Sequence, residues 1–215
     1  MRAIRFLTAL GLMYSAFAPT LAQERVAGQS VRYALISINS AYQKMPLLPR
    51  HDELVQGLEQ ALTKANFTVT LVRDLTHETE AQEVQANFLA RIQPGDVCLF
   101  YFLGYAIQSN NANFLLPIDF DPNSDSNLNY RARSLTGIQQ TLEQKQAGLK
   151  IIVLETAIQG PELPVSATKP GLAAPDTSES REIVYAFAAP LNALPLEVPE
   201  KDRFLFTKNL AEALR

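Results

Sequence analysis

Few residues in this chain are of the kinds that run covalent or metal chemistry. There is one cysteine, Cys98, and there are two histidines, His51 and His77. A thiolate is a nucleophile and an imidazole is its usual activating base, so these three come first. Cys98 stands inside an apolar run, Val97 to Leu103 (VCLFYFL). A thiol buried among apolar side chains has a raised pKa and is inert, so core packing is its expected role. His51 and His77 fall at the starts of two predicted helices and read as exposed or capping residues. Two His and one Cys without HExxH-like spacing do not make a zinc site, and no metal or cofactor is implied. A lone cysteine also excludes an internal disulfide framework. The other candidate groups are Tyr105, Asp119, Glu155 and Thr156. None makes an evident nucleophile–base pair with a third, orienting group.

These groups must be positioned by the elements around them, and the pattern alternates strand and helix. Val31 to Ile38 (VRYALISI) reads as a buried strand. Asp52 is a candidate cap for a helix with Leu54, Val55, Leu58 and Leu62 on one face. Phe67 to Val72 is a second strand, and Thr76 is a good N-cap for a helix with the stripe Ala81, Val84, Phe88 and Ile92. Pro94-Gly95-Asp96 is a turn into the apolar run Val97 to Leu103, which suits a central strand covered on both faces. Asn113 to Ile118 is a short extended piece ending at Asp119. Ser134 starts a helix with Leu135, Ile138 and Leu142 on one face, which Gly148 is expected to end. Leu149 to Leu154 and Ile183 to Ala188 are further strands, and Phe206, Leu210 and Leu214 line a closing helix. Residues 157 to 182 hold four Pro and two Gly with little apolar content, which reads as one long mobile loop.

Strands alternating with helices imply an α/β fold, a mostly parallel sheet with helices on both faces. Such sheets bind ligands beyond the carboxyl ends of their strands. The two ends of interest are Leu103-Gly104-Tyr105 and Leu154-Glu155-Thr156-Ala157.

The 215 residues fit one domain, and 47 % hydrophobic content is enough for a core. A formal net charge of −3 signals no basic surface and argues against a nucleic-acid partner. The N-terminus reads as a secretory signal peptide: Arg2 and Arg5, an apolar stretch from Phe6 to Ala18, then Thr20-Leu21-Ala22 with small residues at the two inspected positions. The alternative is an uncleaved anchor, but the apolar run is short against the roughly 20 residues of a spanning helix. The expected organisation is a signal peptide over 1–22, a linker over 23–30 and one domain over 31–215, working in the periplasm or outside the cell with no membrane span after cleavage. Cleavage would remove two Arg and no acid and leave a charge of −5. In an oxidising compartment the single cysteine is either a buried thiol or an intermolecular bridge.

Five segments in order resemble the bacterial branch of the caspase and metacaspase family of cysteine peptidases. Ala34 to Tyr42 (ALISINSAY) is similar to its first strand and Asn-x-x-Tyr turn. Arg91 to Gln108 (RIQPGDVCLFYFLGYAIQ) resembles the Pro-Gly-Asp turn, the central strand and the loop that bears His-Gly. Phe114 to Asp119 (FLLPID) is similar to a Tyr-Leu-Leu-Pro-x-Asp segment. Lys150 to Ala157 (KIIVLETA) resembles the strand ending in Asp-x-Cys, and Arg203 to Leu214 (RFLFTKNLAEAL) the closing helix. The resemblance implies a three-layer caspase-like fold across nearly all of the chain after the signal.

The departures fall where the chemistry should be. The resemblance puts the catalytic His at Tyr105, the Gly after it at Ala106, and the catalytic Cys at Ala157. A methyl group cannot attack a carbonyl, and a phenol with an ordinary pKa near 10 is a poor base near neutral pH. Thiol proteolysis by the family's route is therefore not expected. Glu155 takes the place of an Asp that lines the pocket for a basic side chain in the arginine- and lysine-specific relatives. It would leave a shallower acidic pocket, or serve as a strand-end acid bonded to nearby backbone. Tyr101 and Tyr105 read either as recognition residues at a groove mouth or as rings filling the vacated site. The expected function is a non-catalytic pseudopeptidase module that binds a peptide segment or another caspase-like chain. The alternative is a hydrolase with relocated catalytic residues.

Overall fold

The computed structural model of the chain describes residues 29–123, 127–156, 168–169, 171–178, 180, 182–192 and 205–214. The expected signal peptide and Ala157 lie outside these residues. The elements run β1 (Arg32–Ile38), α1 (Asp52–Lys64), β2 (Phe67–Arg73), α2 (His77–Asn87), β3 (Val97–Gly104), β4 (Ala106–Ser109), β5 (Ala112–Leu115), α3 (Leu128–Arg131), β6 (Arg133–Ser134), α4 (Leu135–Gln144), β7 (Leu149–Thr156), β8 (Thr168–Lys169), β9 (Ile183–Phe187) and α5 (Leu205–Ala213).

Among the described residues, five strands form one parallel sheet in the order β2-β1-β3-β7-β9. Central β3 is buried on both faces, which explains its unbroken apolar sequence. Alternation along it divides the core in two. Cys98, Phe100 and Phe102 point to one side, where Val84, Phe88 and Leu89 meet Leu135, Ile138 and Leu142 of α4. Leu99, Tyr101 and Leu103 point to the other, where Val55, Leu58, Ala61 and Leu62 of α1 meet Phe206, Leu210 and Ala211 of α5. This is the expected α/β, caspase-like architecture, with helices on both faces of a mostly parallel sheet. No described helix is long and apolar enough to cross a membrane.

Several local expectations differ from the structure. His51, not Asp52, is the N-cap residue of α1, and no side chain caps it. Asp52 instead lies in the first turn, where a negative charge meets the positive end of the helix dipole, and it pairs with Arg73 at 3.1 Å. Thr76 does cap α2, in a capping box completed by the hydroxyl of Thr79. That helix ends at Asn87, and a 3₁₀ turn over Leu89–Arg91 carries the apolar stripe on to Ile92. Helix α4 stops at Gln144, ahead of Gly148, with the chain reversing through Gln146 at φ +56°. Gly148 serves a close approach: a Cβ there would meet the carbonyl oxygen of Gly95 at 2.9 Å.

The largest difference is a second, four-stranded sheet in the order β6-β5-β4-β8. Its centre is the β4–β5 hairpin, turned by Asn110 and Asn111, both at positive φ. Asparagine tolerates that conformation, as a tight two-residue hairpin turn requires. The stretch read as one long loop also carries structure: β8 pairs with β4, and Leu172 and Ala173 are buried. An extended segment can gain order from a neighbouring strand without an apolar period of its own.

Candidate functional site at the ends of β3 and β7

The register aligns Leu103 with Glu155 and Gly104 with Thr156 on adjacent parallel strands. The next residues in the chain are Tyr105 and Ala157, so both sequence-expected ends leave the same edge of the sheet. Position 157 itself lies outside the described residues.

Tyr105 is buried, with 4 % of its surface exposed. Its ring packs edge-on against Tyr42, with centroids 4.8 Å apart and planes at 61°. It therefore fills space instead of standing at a groove mouth. It belongs to a third apolar cluster that caps the end of the sheet and includes Met45, Phe114, Leu116, Phe120 and Leu128. Burial pushes its phenol above the ordinary tyrosine value, further from use as a base.

The turn after β1 holds this residue in place. The Tyr42 hydroxyl accepts the N–H of Tyr105 at 2.7 Å and donates to the carbonyl of Leu116 at 3.2 Å. Asn39 Nδ2 donates to the same carbonyl at 3.0 Å, and Asn39 Oδ1 accepts the N–H of Leu75. The N–H of Leu116 closes the circuit on the carbonyl of Tyr105 at 2.9 Å. Asp74 Oδ1 accepts from the N–H groups of Ser40 and Ala41, both at 2.8 Å, and from the Ser40 hydroxyl. A Cβ on Gly104 would meet the Tyr42 hydroxyl and the tip of Phe102 at 2.7 Å, so any larger residue beneath this phenol would have to displace those ring ends.

Glu155 occupies a separate place. It points to the α1/α5 side with Tyr101, which puts it in the interior, 5 % exposed. Tyr101 Oη is hydrogen-bonded to Glu155 Oε2 at 2.9 Å, and the hydroxyl of Thr207 on α5 bonds to the same oxygen. Tyr101 and Glu155 thus come together beneath α5, and Tyr105 does not join them. The residues expected as one pocket remnant are two clusters, because alternation along β3 and β7 sends Tyr101 and Glu155 under a helix while Tyr105 lies beyond the strand.

The remaining candidates have structural work. Cys98 is fully buried in the α2/α4 face, and burial raises its thiol to about 12. Asp119 accepts the N–H of His77 at 2.8 Å in the first turn of α2. Sequence reasoning did not single out Thr207, and it named Gly104 as part of a strand end without giving it a role. It placed Asn39 and Tyr42 in the Asn-x-x-Tyr turn but gave neither a role toward Tyr105.

With this geometry in place, the comparison is direct: residues 31–194 match the family described as Caspase domain. The chain belongs to that family. It is also similar to the mucosa-associated lymphoid tissue lymphoma translocation protein 1 of Homo sapiens, at 28 % identity over 127 residues. That match covers 58 % of this chain and 15 % of the human protein, so it bears on one part of the relative alone.

Proposed function

We propose that this chain is a caspase domain without thiol-peptidase chemistry, a recognition module that holds a peptide segment or another caspase-like chain. The observation that carries the reading is the interior placement of Tyr105. The residue standing where the family's activating base is expected has its ring against Tyr42 and its backbone tied on both sides. The sequence adds a methyl side chain at the nucleophile position, Ala157. Cys98 offers no substitute, since its thiol is enclosed and stays protonated near neutral pH.

The mode of recognition favoured is strand addition at the outer edge of β9. That strand pairs with β7 on one side, and Val184 is half exposed on it. The N-terminal residues 1–22 support export, which would put the module in the periplasm or outside the cell. The net charge of −3 favours a protein partner over nucleic acid.

The test is an assay of purified chain on peptides with Arg, Lys or Asp before the scissile bond. No hydrolysis is expected. Cleavage that copurifies with the chain and survives Glu155→Ala and Tyr105→Phe would overturn the non-catalytic reading. Restoring Tyr105→His with Ala157→Cys asks whether the scaffold still aims the dyad, with gain of activity as the positive sign. Failure to retain any immobilised peptide, or any caspase-like chain, would overturn the recognition half.

A further inference from the structure

Three oxygens meet under the first turn of α5. Tyr101 Oη lies 2.9 Å from Glu155 Oε2 and 2.5 Å from Thr207 Oγ1, and the Thr207 hydroxyl bonds to the same Glu155 oxygen. All three residues are buried, with Tyr101 fully enclosed. Each side of this triangle joins two hydrogen-bonded oxygens, and each hydrogen bond needs one proton. A charged carboxylate leaves two protons for three sides. A neutral carboxylic acid supplies the third, so that Glu155 donates to Tyr101, Tyr101 to Thr207, and Thr207 back to Glu155.

We propose that Glu155 is held as a neutral carboxylic acid in the folded chain, closing this ring with Tyr101 and Thr207, and that ionisation of the one group loosens α5 from the sheet. Charge in a buried site needs a partner, and among the described residues α1 and α5 offer none. The α1 positions on this face are Val55, Leu58, Ala61 and Leu62, and the α5 positions are Phe206, Leu210 and Ala211, all apolar. The charged residues of α1 are the exposed Asp52, Glu53 and Lys64 and the half-buried Glu59, and those of α5 are the exposed Lys208 and Glu212. Among the described residues, Thr207 and Tyr101 alone act on the Glu155 carboxyl. Burial raises it most, and the Thr207 hydroxyl, the Tyr101 hydroxyl and the Thr207 N–H offset that only in part. Tyr101 is raised well above the ordinary tyrosine value by burial and by Glu155, so its hydroxyl stays a donor.

The sign follows from linkage. A carboxyl raised on folding binds more protons in the native state than in the unfolded one. Its contribution is complete below the unfolded value near 4.5 and is lost as pH rises through the higher folded value. The ring sits one residue before Thr156, so the same proton ties α5 to the strand end that leads to position 157.

The experiment is a ¹³C-carboxyl NMR titration of the full chain, with the Glu155 signal assigned by its absence in Glu155→Gln. The signal is expected to titrate at a higher pH in the native chain than in urea. Protection of the amides over residues 205–213, the exchange rate set against the intrinsic rate at each pH, is expected to fall at least about threefold as Glu155 ionises, and to stay constant with pH in Glu155→Gln. Titration at the same pH in both states would overturn the proposal, as would α5 protection that falls equally with pH in Glu155→Gln. Should Glu155→Gln fail to fold, Thr207→Val breaks the ring without removing the acid. Its α5 exchange should be fast already at low pH, and a slow, wild-type rate there would overturn the proposal.

Discussion

The hydroxyl of Tyr42 accepts the backbone N–H of Tyr105 at 2.7 Å while the two rings pack edge-on. One side chain from the turn after β1 thus fixes both the main chain and the ring at the position where the family's base is expected. The same hydroxyl donates to the carbonyl of Leu116, just after β5, so three segments converge on one oxygen. Burial pushes its pKa far above the ordinary tyrosine value, which keeps the donor proton in place across any usable pH.

Tyr42→Phe keeps the ring and removes the oxygen. The N–H of Tyr105 is then left buried without its acceptor, while the carbonyl of Leu116 keeps Asn39 Nδ2. An unpaired buried donor costs about 1–3 kcal/mol, and a drop of that size in the urea-unfolding free energy is expected. Tyr105→Phe leaves this circuit intact and should cost less. Equal losses in the two variants would contradict the assignment.

Gly104→Ala tests the close approach beneath the phenol. The added methyl would sit 2.7 Å from both the Tyr42 hydroxyl and Phe102, and 3.2 Å from Asn39. Overpacking of this kind costs about 1–3 kcal/mol. The measurement is thermal or urea unfolding, and a neutral result would show that the turn can move aside.

Much of the scaffold was legible in the residues. The apolar run Val97 to Leu103 suits a covered strand and is one, and Thr76 is a cap by type and place. The β4–β5 hairpin was not legible, since Ala106 to Ser109 (AIQS) has no clear alternation and its Asn-Asn turn lacks glycine. The site was legible in part. Tyr105 and Glu155 stood out by spacing and likeness, and their neighbours on adjacent strands are in register. Their separation was hidden because Thr207 and Tyr42 come from segments distant in sequence, 52 residues after Glu155 and 63 before Tyr105.

Asp74 gives the fold an acid-sensitive joint. Burial alone would raise its carboxyl, but the N–H groups of Ala41 and Ser40, the Ser40 hydroxyl and the charge of Arg50 outweigh that and hold it below the ordinary value. A depressed carboxyl stabilises the native state above the unfolded pKa, and the gain is lost as pH falls through the folded value. Stability of the native chain should therefore decline, in part through this group, as pH falls from near the unfolded value of 3.8 through the lower folded value. Asp74→Asn should lower stability at neutral pH and flatten the decline in that window. Urea midpoints at several pH values check both, and an unchanged slope would remove Asp74 from the account.

Asn113 pins the segment that was read as a loop. Its Nδ2 donates to the carbonyl of Ala173 and its Oδ1 accepts the N–H of Ala173, both at 2.8 Å. Asn113 and Ala173 are both buried, so losing the side chain leaves two backbone groups unsatisfied. The cost of about 1–3 kcal/mol should fall on the local opening of this segment, because the parallel sheet does not depend on it. Asn113→Ala should therefore speed amide exchange at Ala173 by about tenfold or more, since each 1.4 kcal/mol is a factor of ten. Exchange in β3 should stay at its native rate. Equal acceleration in β3 would mean that Asn113 supports the whole fold, and no acceleration at Ala173 would mean that β8 and the burial of Leu172 hold the segment without it.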